Sequence, residues 1–200
     1  MTKLPIILLA AGQSSRMRGA DKLMEPVDGL PLIRRQATIA RAVTDGPVLV
    51  ALPPPPHPRH AALEGLRVTP VPVPDAAEGM NASLRTAFTA LPAGAPAAML
   101  LLADLPELTA DDLRTVAQAV DLKSDTLIWR GATENLRPGH PIVFAARLFP
   151  AFAALRGDSG GREVVALAED RVKLIALPGQ RARRDLDTPE DWAAWRAAHP

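Results

Sequence analysis

The chain has 200 residues, 48% of them hydrophobic, with 23 lysines and arginines against 22 aspartates and glutamates, for a net charge of +1. That is one domain's length of chain with enough apolar side chain for a core, so global disorder is excluded, and without a basic excess a dedicated nucleic-acid binder is not expected. Cysteine is absent, which rules out disulfides, thiolate metal sites and a cysteine nucleophile; with no tyrosine and 4% aromatics, a base-stacking platform is not expected either.

In chain order, apolar runs alternate with helical patterns. Leu4–Ala10 is a continuous apolar run, the signature of a strand buried on both faces. A small-residue, basic loop follows from Gly12 to Asp21. A helix is predicted over Pro31–Val43, ended by Asp45-Gly46, and a strand over Val48–Leu52. Pro53–Pro56 reads as a polyproline II connector, Pro58–Glu64 as a short helix, and Arg67–Val73 as a proline-bearing strand near a sheet edge. Asn81–Leu91 is predicted helical with Asn81 as N-cap. Ala97–Ala103 is the most hydrophobic strand and should be central. Thr109 caps a helix reaching Val120, with Asp112 three residues on. Strands over Asp125–Arg130 and Pro141–Ala145 precede helices over Ala146–Ala154 and Gly160–Ala168. A late strand, Val172–Leu177, and a terminal helix, Pro189–Ala198, with Trp192 and Trp195 as packing residues, complete the pattern.

Such alternation predicts an α/β fold: a three-layer, Rossmann-like sandwich of a mostly parallel sheet with helices on both faces, formed by residues 1–200 as a single domain. No apolar run reaches membrane-spanning length; Ala95–Ala103 stops at Asp104. Lys3 with Leu4–Ala11 imitates a short leader, but Pro5 interrupts it, so a soluble, cytoplasmic protein is expected.

In open α/β sheets ligands sit outside the carboxyl ends of the strands. Three polar groups fall there: the loop Gly12-Gln-Ser-Ser-Arg-Met-Arg-Gly-Ala-Asp-Lys22, Asp104 after the central strand, and Asp185-Leu-Asp187 after the last. Small residues let backbone amides approach oxygen atoms, and Arg16, Arg18 and Lys22 offset negative charge, so the loop reads as a phosphate cradle. It matches neither G-x-G-x-x-G nor G-x-x-x-x-G-K. A carboxylate at Asp104 suits a divalent ion, Mg²⁺ above all, which takes oxygen ligands and keeps several waters. Asp187 also precedes a helix start, with Thr188 as cap. His57 and His60 lack a third ligand and are expected at the surface.

The strings Leu9-Ala-Ala-Gly-Gln-Ser-Ser-Arg-Met-Arg-Gly-Ala-Asp-Lys22, Leu102-Ala-Asp-Leu-Pro106 and Asp185-Leu-Asp-Thr-Pro-Glu-Asp191 together resemble the nucleotidyltransferases that modify molybdenum cofactor. Leu-Ala-Ala-Gly, Glu78–Leu84, Arg137–Phe144 and Gly157–Arg162 are similar to the cytidylyltransferase branch; guanylyltransferases usually show Leu-x-Gly-Gly. Arg18, where the family often has Met-Gly, and the tetraproline depart from the pattern. The resemblance implies a nucleotide-diphospho-sugar transferase-like fold and transfer of CMP from CTP to the terminal phosphate of molybdopterin, with pyrophosphate leaving. It implies Arg16, Lys22 and Asp104 as catalytic groups, and Mg²⁺ on Asp104 and Asp187. The nucleotide would lie against Ala10, Ala11, Gly12, Gln13, Ser14, Arg16, Lys22, Gly79, Ser83 and Asp104. His140 and Asp158 would face the acceptor, and a molybdoenzyme-maturation protein is a candidate partner.

Competing readings are a cytidylyltransferase for a sugar- or polyol-phosphate, of the methylerythritol phosphate type, which carries glycine where Ser14 stands; a GTP-using enzyme; and a silent nucleotide-binding accessory of molybdoenzyme maturation. Gly157-Asp-Ser-Gly-Gly161 imitates a serine-protease segment, but the missing cysteines and the α/β pattern oppose that reading.

Overall fold

The computed structural model describes residues 3–199. The apolar run near the start forms β1 (Ile6–Leu9), followed by a two-stranded hairpin, β2 (Pro26–Val27) and β3 (Leu30–Pro31), then α1 (Leu32–Arg41) and β4 (Val48–Leu52). Next come α2 (Pro58–Ala61), β5 (Thr69–Pro72), α3 (Met80–Thr89), β6 (Ala97–Leu102) and α4 (Ala110–Gln118). β7 (Ile128–Ala132), β8 (Pro138–Ala145), α5 (Phe149–Ala153), α6 (Arg162–Ala166), β9 (Val172–Ala176) and α7 (Pro189–Ala198) complete the chain.

Seven strands form one sheet in the order β5-β4-β1-β6-β8-β7-β9, with β6 in the middle as its hydrophobicity requires. β1 pairs in parallel with β4 and β6, and β4 with β5. β8 alone runs against its neighbours, β6 and β7. The reversal follows from loop length: only residues 133–137 separate β7 from β8, and a crossover to a parallel strand needs a dozen or more. Thr133 closes that loop, its N–H donating to the Arg137 carbonyl and its Oγ accepting from the Arg137 N–H. The fold is the mostly parallel α/β sandwich expected, with this one strand inverted.

Every residue of β1 and β4 is buried, so both sheet faces are covered. α1 and α4 pack on each other and on strands of the sheet. α3 and α5 form a second packed pair, in which Phe88 stacks on Phe152 with ring centroids 3.5 Å apart and meets Phe144 and Phe149 edge-on. β5, with its prolines, lies at one edge, and β9, never fully buried, at the other. Thr109 and Thr188 each close a capping box, with Asp112 and Asp191.

Three local expectations change. The proline run does not stay an extended rod: residues 54–56 form a bend. Asn81 is not an N-cap but the second residue of α3, wholly buried, with its side chain bonded elsewhere. His57 and His60 are half-buried rather than exposed; His57 Nδ1 accepts from the Arg59 N–H, capping α2, and His60 Nε2 meets the Pro53 carbonyl.

Candidate active site

From β1 the chain adds β4 and then β5 outward on one side, and β6 on the other side of β1. The loops leaving β1 and β6 therefore diverge, which opens a crevice at their carboxyl ends. A cavity of about 370 Å³ lies there. It is lined by residues 9–16, Lys22 and Leu23, by Ala76, Ala77, Gly79, Met80 and Ser83 around the start of α3, and by Leu102, Asp104, Asp158 and Asp187. All the nucleotide-side residues named from the sequence, from Ala10 to Asp104, border this one cavity, together with Asp158 and Asp187; His140 does not.

Lys22 is the point of convergence. Its Nζ donates to Asp104 Oδ2 at 2.6 Å and to Asp187 Oδ1 at 2.6 Å. The two carboxylate oxygens thus lie no more than about 5 Å apart, although 83 residues separate them in sequence. Arg16 reaches the other oxygen of Asp187 at 2.7 Å. Burial disfavours the Lys22 charge, but Asp104 and then Asp187 outweigh it and hold the ammonium above its ordinary pKa. Nearby Asp185 is pushed up, by burial first and then by the Asp187 and Asp104 carboxylates. Arg18, expected with Arg16 and Lys22 to offset phosphate charge, instead pairs with Glu190 of α7 at 2.6 Å and does not line the cavity.

Asp104 Oδ1 is buried and has no hydrogen-bond partner among the described residues. An orphaned carboxylate oxygen is costly unless something pairs with it. No three acidic or imidazole side chains converge among the described residues, so the donor set is two carboxylates. That set fits Mg²⁺, which is commonly bound by one or two carboxylates plus substrate phosphates rather than by a full protein cage.

Arg59 was not singled out from the sequence. It projects from α2 and is 1% exposed. Its Nε donates to Asp21 Oδ2 at 2.8 Å and its Nη2 to Asp21 Oδ1 at 2.7 Å, while Nη1 reaches the Ala10 carbonyl at 2.6 Å and Nη2 also Ser14 Oγ at 3.2 Å. Burial works against the Asp21 charge, yet Arg59 and the Leu23 amide hold its carboxyl below the usual range. A lone arginine among prolines and histidines carries no sequence signal for this; only the unassigned Asp21 in the loop hints that a cation must meet it.

The opposite wall is α3 and the Gly157–Gly161 loop. Gly79 has φ +115°, and a Cβ there would lie 2.6 Å from the Asp158 side chain, so its freedom accommodates Asp158. Asp158 Oδ1 accepts from the Met80 N–H at 2.6 Å. Asn81 Nδ2 donates to the Arg156 carbonyl and to Ser159 Oγ, and its Oδ1 accepts from the Gly161 N–H. Ser159 is bonded to Glu163 as well. Ser83 is buried and faces the cavity.

His140 lies in a second cavity of about 130 Å³, with Arg130, Arg162, Phe144 and Phe152, that shares Met80 and Leu102 with the first. Burial, then Arg130, pushes its imidazole down to a pKa of about 4, so it is neutral at physiological pH. Its Nδ1 is buried without a partner among the described residues.

A family model described as the MobA-like NTP transferase domain matches residues 6–173. A protein of Natronomonas pharaonis named "Probable molybdenum cofactor guanylyltransferase" is 29% identical, over 92% of this chain and 93% of its own. A Nostoc protein of the same name is 28% identical, over 96% of this chain and 90% of its own. The crystal structure of Rv0371c from Mycobacterium tuberculosis H37Rv matches with a TM-score of 0.82 and 26% identity, covering 97% of each chain. The family model spans most of the chain, so the chain belongs to the MobA-like NTP transferase family and is a nucleotidyltransferase.

Proposed function

We propose that the protein transfers a nucleoside monophosphate, CMP by preference, from its triphosphate to the terminal phosphate of molybdopterin. The observation that carries the reading is the convergence of Arg16, Lys22, Asp104 and Asp187 at one end of the cavity. It supports an acceptor phosphate oxygen attacking the α-phosphorus while the bond from the α-phosphorus to the bridging oxygen breaks and pyrophosphate departs. Arg16 and Lys22 bear on the charge of the transferring group and of pyrophosphate, and positioning with electrostatics does most of the catalytic work in phosphoryl chemistry. Asp104 and Asp187 would hold Mg²⁺, which when bound neutralises phosphate charge.

The base would lie on the β1 side, against Ala10–Ser14 with Ser83 and Gly79. Ala11 is 2% exposed and adds a methyl to that lining, which favours a one-ring base. The second cavity, reached past Met80 and Leu102, is assigned to the acceptor, with His140 inside it, while Asp158 would meet the acceptor from the wall of the first. The names of the relatives support the pterin acceptor, and they also favour a second reading in which the donor is GTP.

The test is pyrophosphate release with each nucleoside triphosphate and Mg²⁺, with and without molybdopterin. CTP-selective, pterin-dependent release is expected. Selectivity for GTP moves the base assignment to the second reading. Nucleotide binding with no release under any condition would make the chain an inactive accessory and sink the proposal. In the same assay, Ala11→Gly should lower the preference for CTP over GTP.

A further inference from the structure

The loop from Ala10 to Lys22 has one buried cation behind it, and that cation touches both of its ends. Arg59 donates to the Ala10 carbonyl, where the loop leaves β1, and to both carboxylate oxygens of Asp21, where it closes. Between these it reaches Ser14 Oγ, which also bonds to Asp21 and receives the Lys22 N–H. Ser14 sits in the left-handed region at φ 52°, a conformation that a non-glycine residue keeps only where its surroundings impose it. The guanidinium fork thus spans the loop and sets its aperture, and the residue after Asp21 is Lys22, whose ammonium meets Asp104 and Asp187.

We propose that Arg59 is a positioning residue for nucleotide binding: it holds the 10–22 loop open in the shape that receives the triphosphate and aims Lys22 at the acidic pair. It acts through the Ala10 carbonyl and the Ser14 and Asp21 side chains and does not border the cavity itself. The bland alternative is that Arg59 only neutralises Asp21. The two differ in what happens when both charges are removed together. Deleting one partner of a buried pair leaves an uncompensated charge and destabilises for that reason alone, whereas replacing both often leaves stability intact.

The inference rests on the nucleotide reading of the loop, and calorimetric titration of the wild-type protein with Mg·CTP and Mg·GTP tests that reading separately. If the wild type binds neither, the nucleotide reading fails and this role with it. Given wild-type binding, the double variant Arg59→Met with Asp21→Asn should unfold in urea near the wild-type midpoint yet bind nucleotide roughly 10- to 100-fold more weakly, since small misplacements of positioning groups cost that much. Amide exchange across residues 12–20 should speed up in the same variant. Arg59→Lys keeps the charge without the fork and should also bind more weakly while staying folded. Wild-type affinity in either folded variant overturns the proposal and leaves Arg59 as a counter-charge.

Discussion

Asp104 presents one oxygen to Lys22 and keeps the other buried and unpaired. Asp104→Asn removes one negative charge while Asp187 still holds the lysine. The variant should fold with a midpoint close to wild type and lose activity by roughly 100-fold or more, the usual scale for a lost electrostatic group at a phosphoryl site; unchanged turnover would contradict the role given to Asp104. His140 makes a different kind of prediction. Its folded pKa is about 4 against an ordinary 6.5, so between those values the unfolded chain takes up a proton that the folded one refuses. Stability should fall as pH drops from about 6.5 toward 4 and lose nothing further to this group below that. Urea unfolding across that range should give a flatter pH curve for His140→Gln than for wild type. Single residues were also where sequence reasoning reached least far. Arg16, Lys22, Asp104 and Asp187 were legible because charge placed after a buried strand points to the ligand edge. Arg59 and the inner face of Asn81 were not, because their burial is set by elements 49 and 78 residues away.

Whole elements were easier to read when local chemistry spelled out both ends. β4 stands at Val48–Leu52 and α7 at Pro189–Ala198, as their patterns predict, and the cap at Thr188 was visible as Thr-Pro-Glu-Asp. The hairpin around Asp28-Gly29 and the inversion of β8 went unread: two-residue strands carry no period, and the β7–β8 loop is shorter than the apolar runs suggested. The capping box of α7 bears directly on function, since Asp191 Oδ2 accepts from the N–H groups of both Thr188 and Asp187. Thr188→Ala should cost about 1 kcal/mol in urea unfolding and lower activity by loosening Asp187. Gly139 of β8 is a second such point. A Cβ there would fall well inside contact with the Ala182 backbone, against which β8 packs through the His140 N–H. Gly139→Ala should therefore depress activity through the segment that carries Asp187, even where circular dichroism shows the sheet retained.

At the scale of the molecule, seven of the nine strands among the described residues share one sheet and the buried side chains form one core, so thermal unfolding should follow a single cooperative transition; two resolved transitions would argue for separable units. The stretch from Leu177 to Asp187 begins beside the sheet's exposed edge and is stitched across it on the way back. Leu177 bonds to Ala132, Gly179 to Glu134, Ala182 to His140, Arg183 to Pro138 and Arg184 to Glu107, before Asp187 arrives at Lys22. Every strand is therefore already in the chain before the second carboxylate is added. A polypeptide released early from the ribosome, short of that stretch, would own the complete β-framework and half of the acidic pair. Under the role proposed for Asp187, a chain gains catalytic competence only once residues 177–187 have been added after β9.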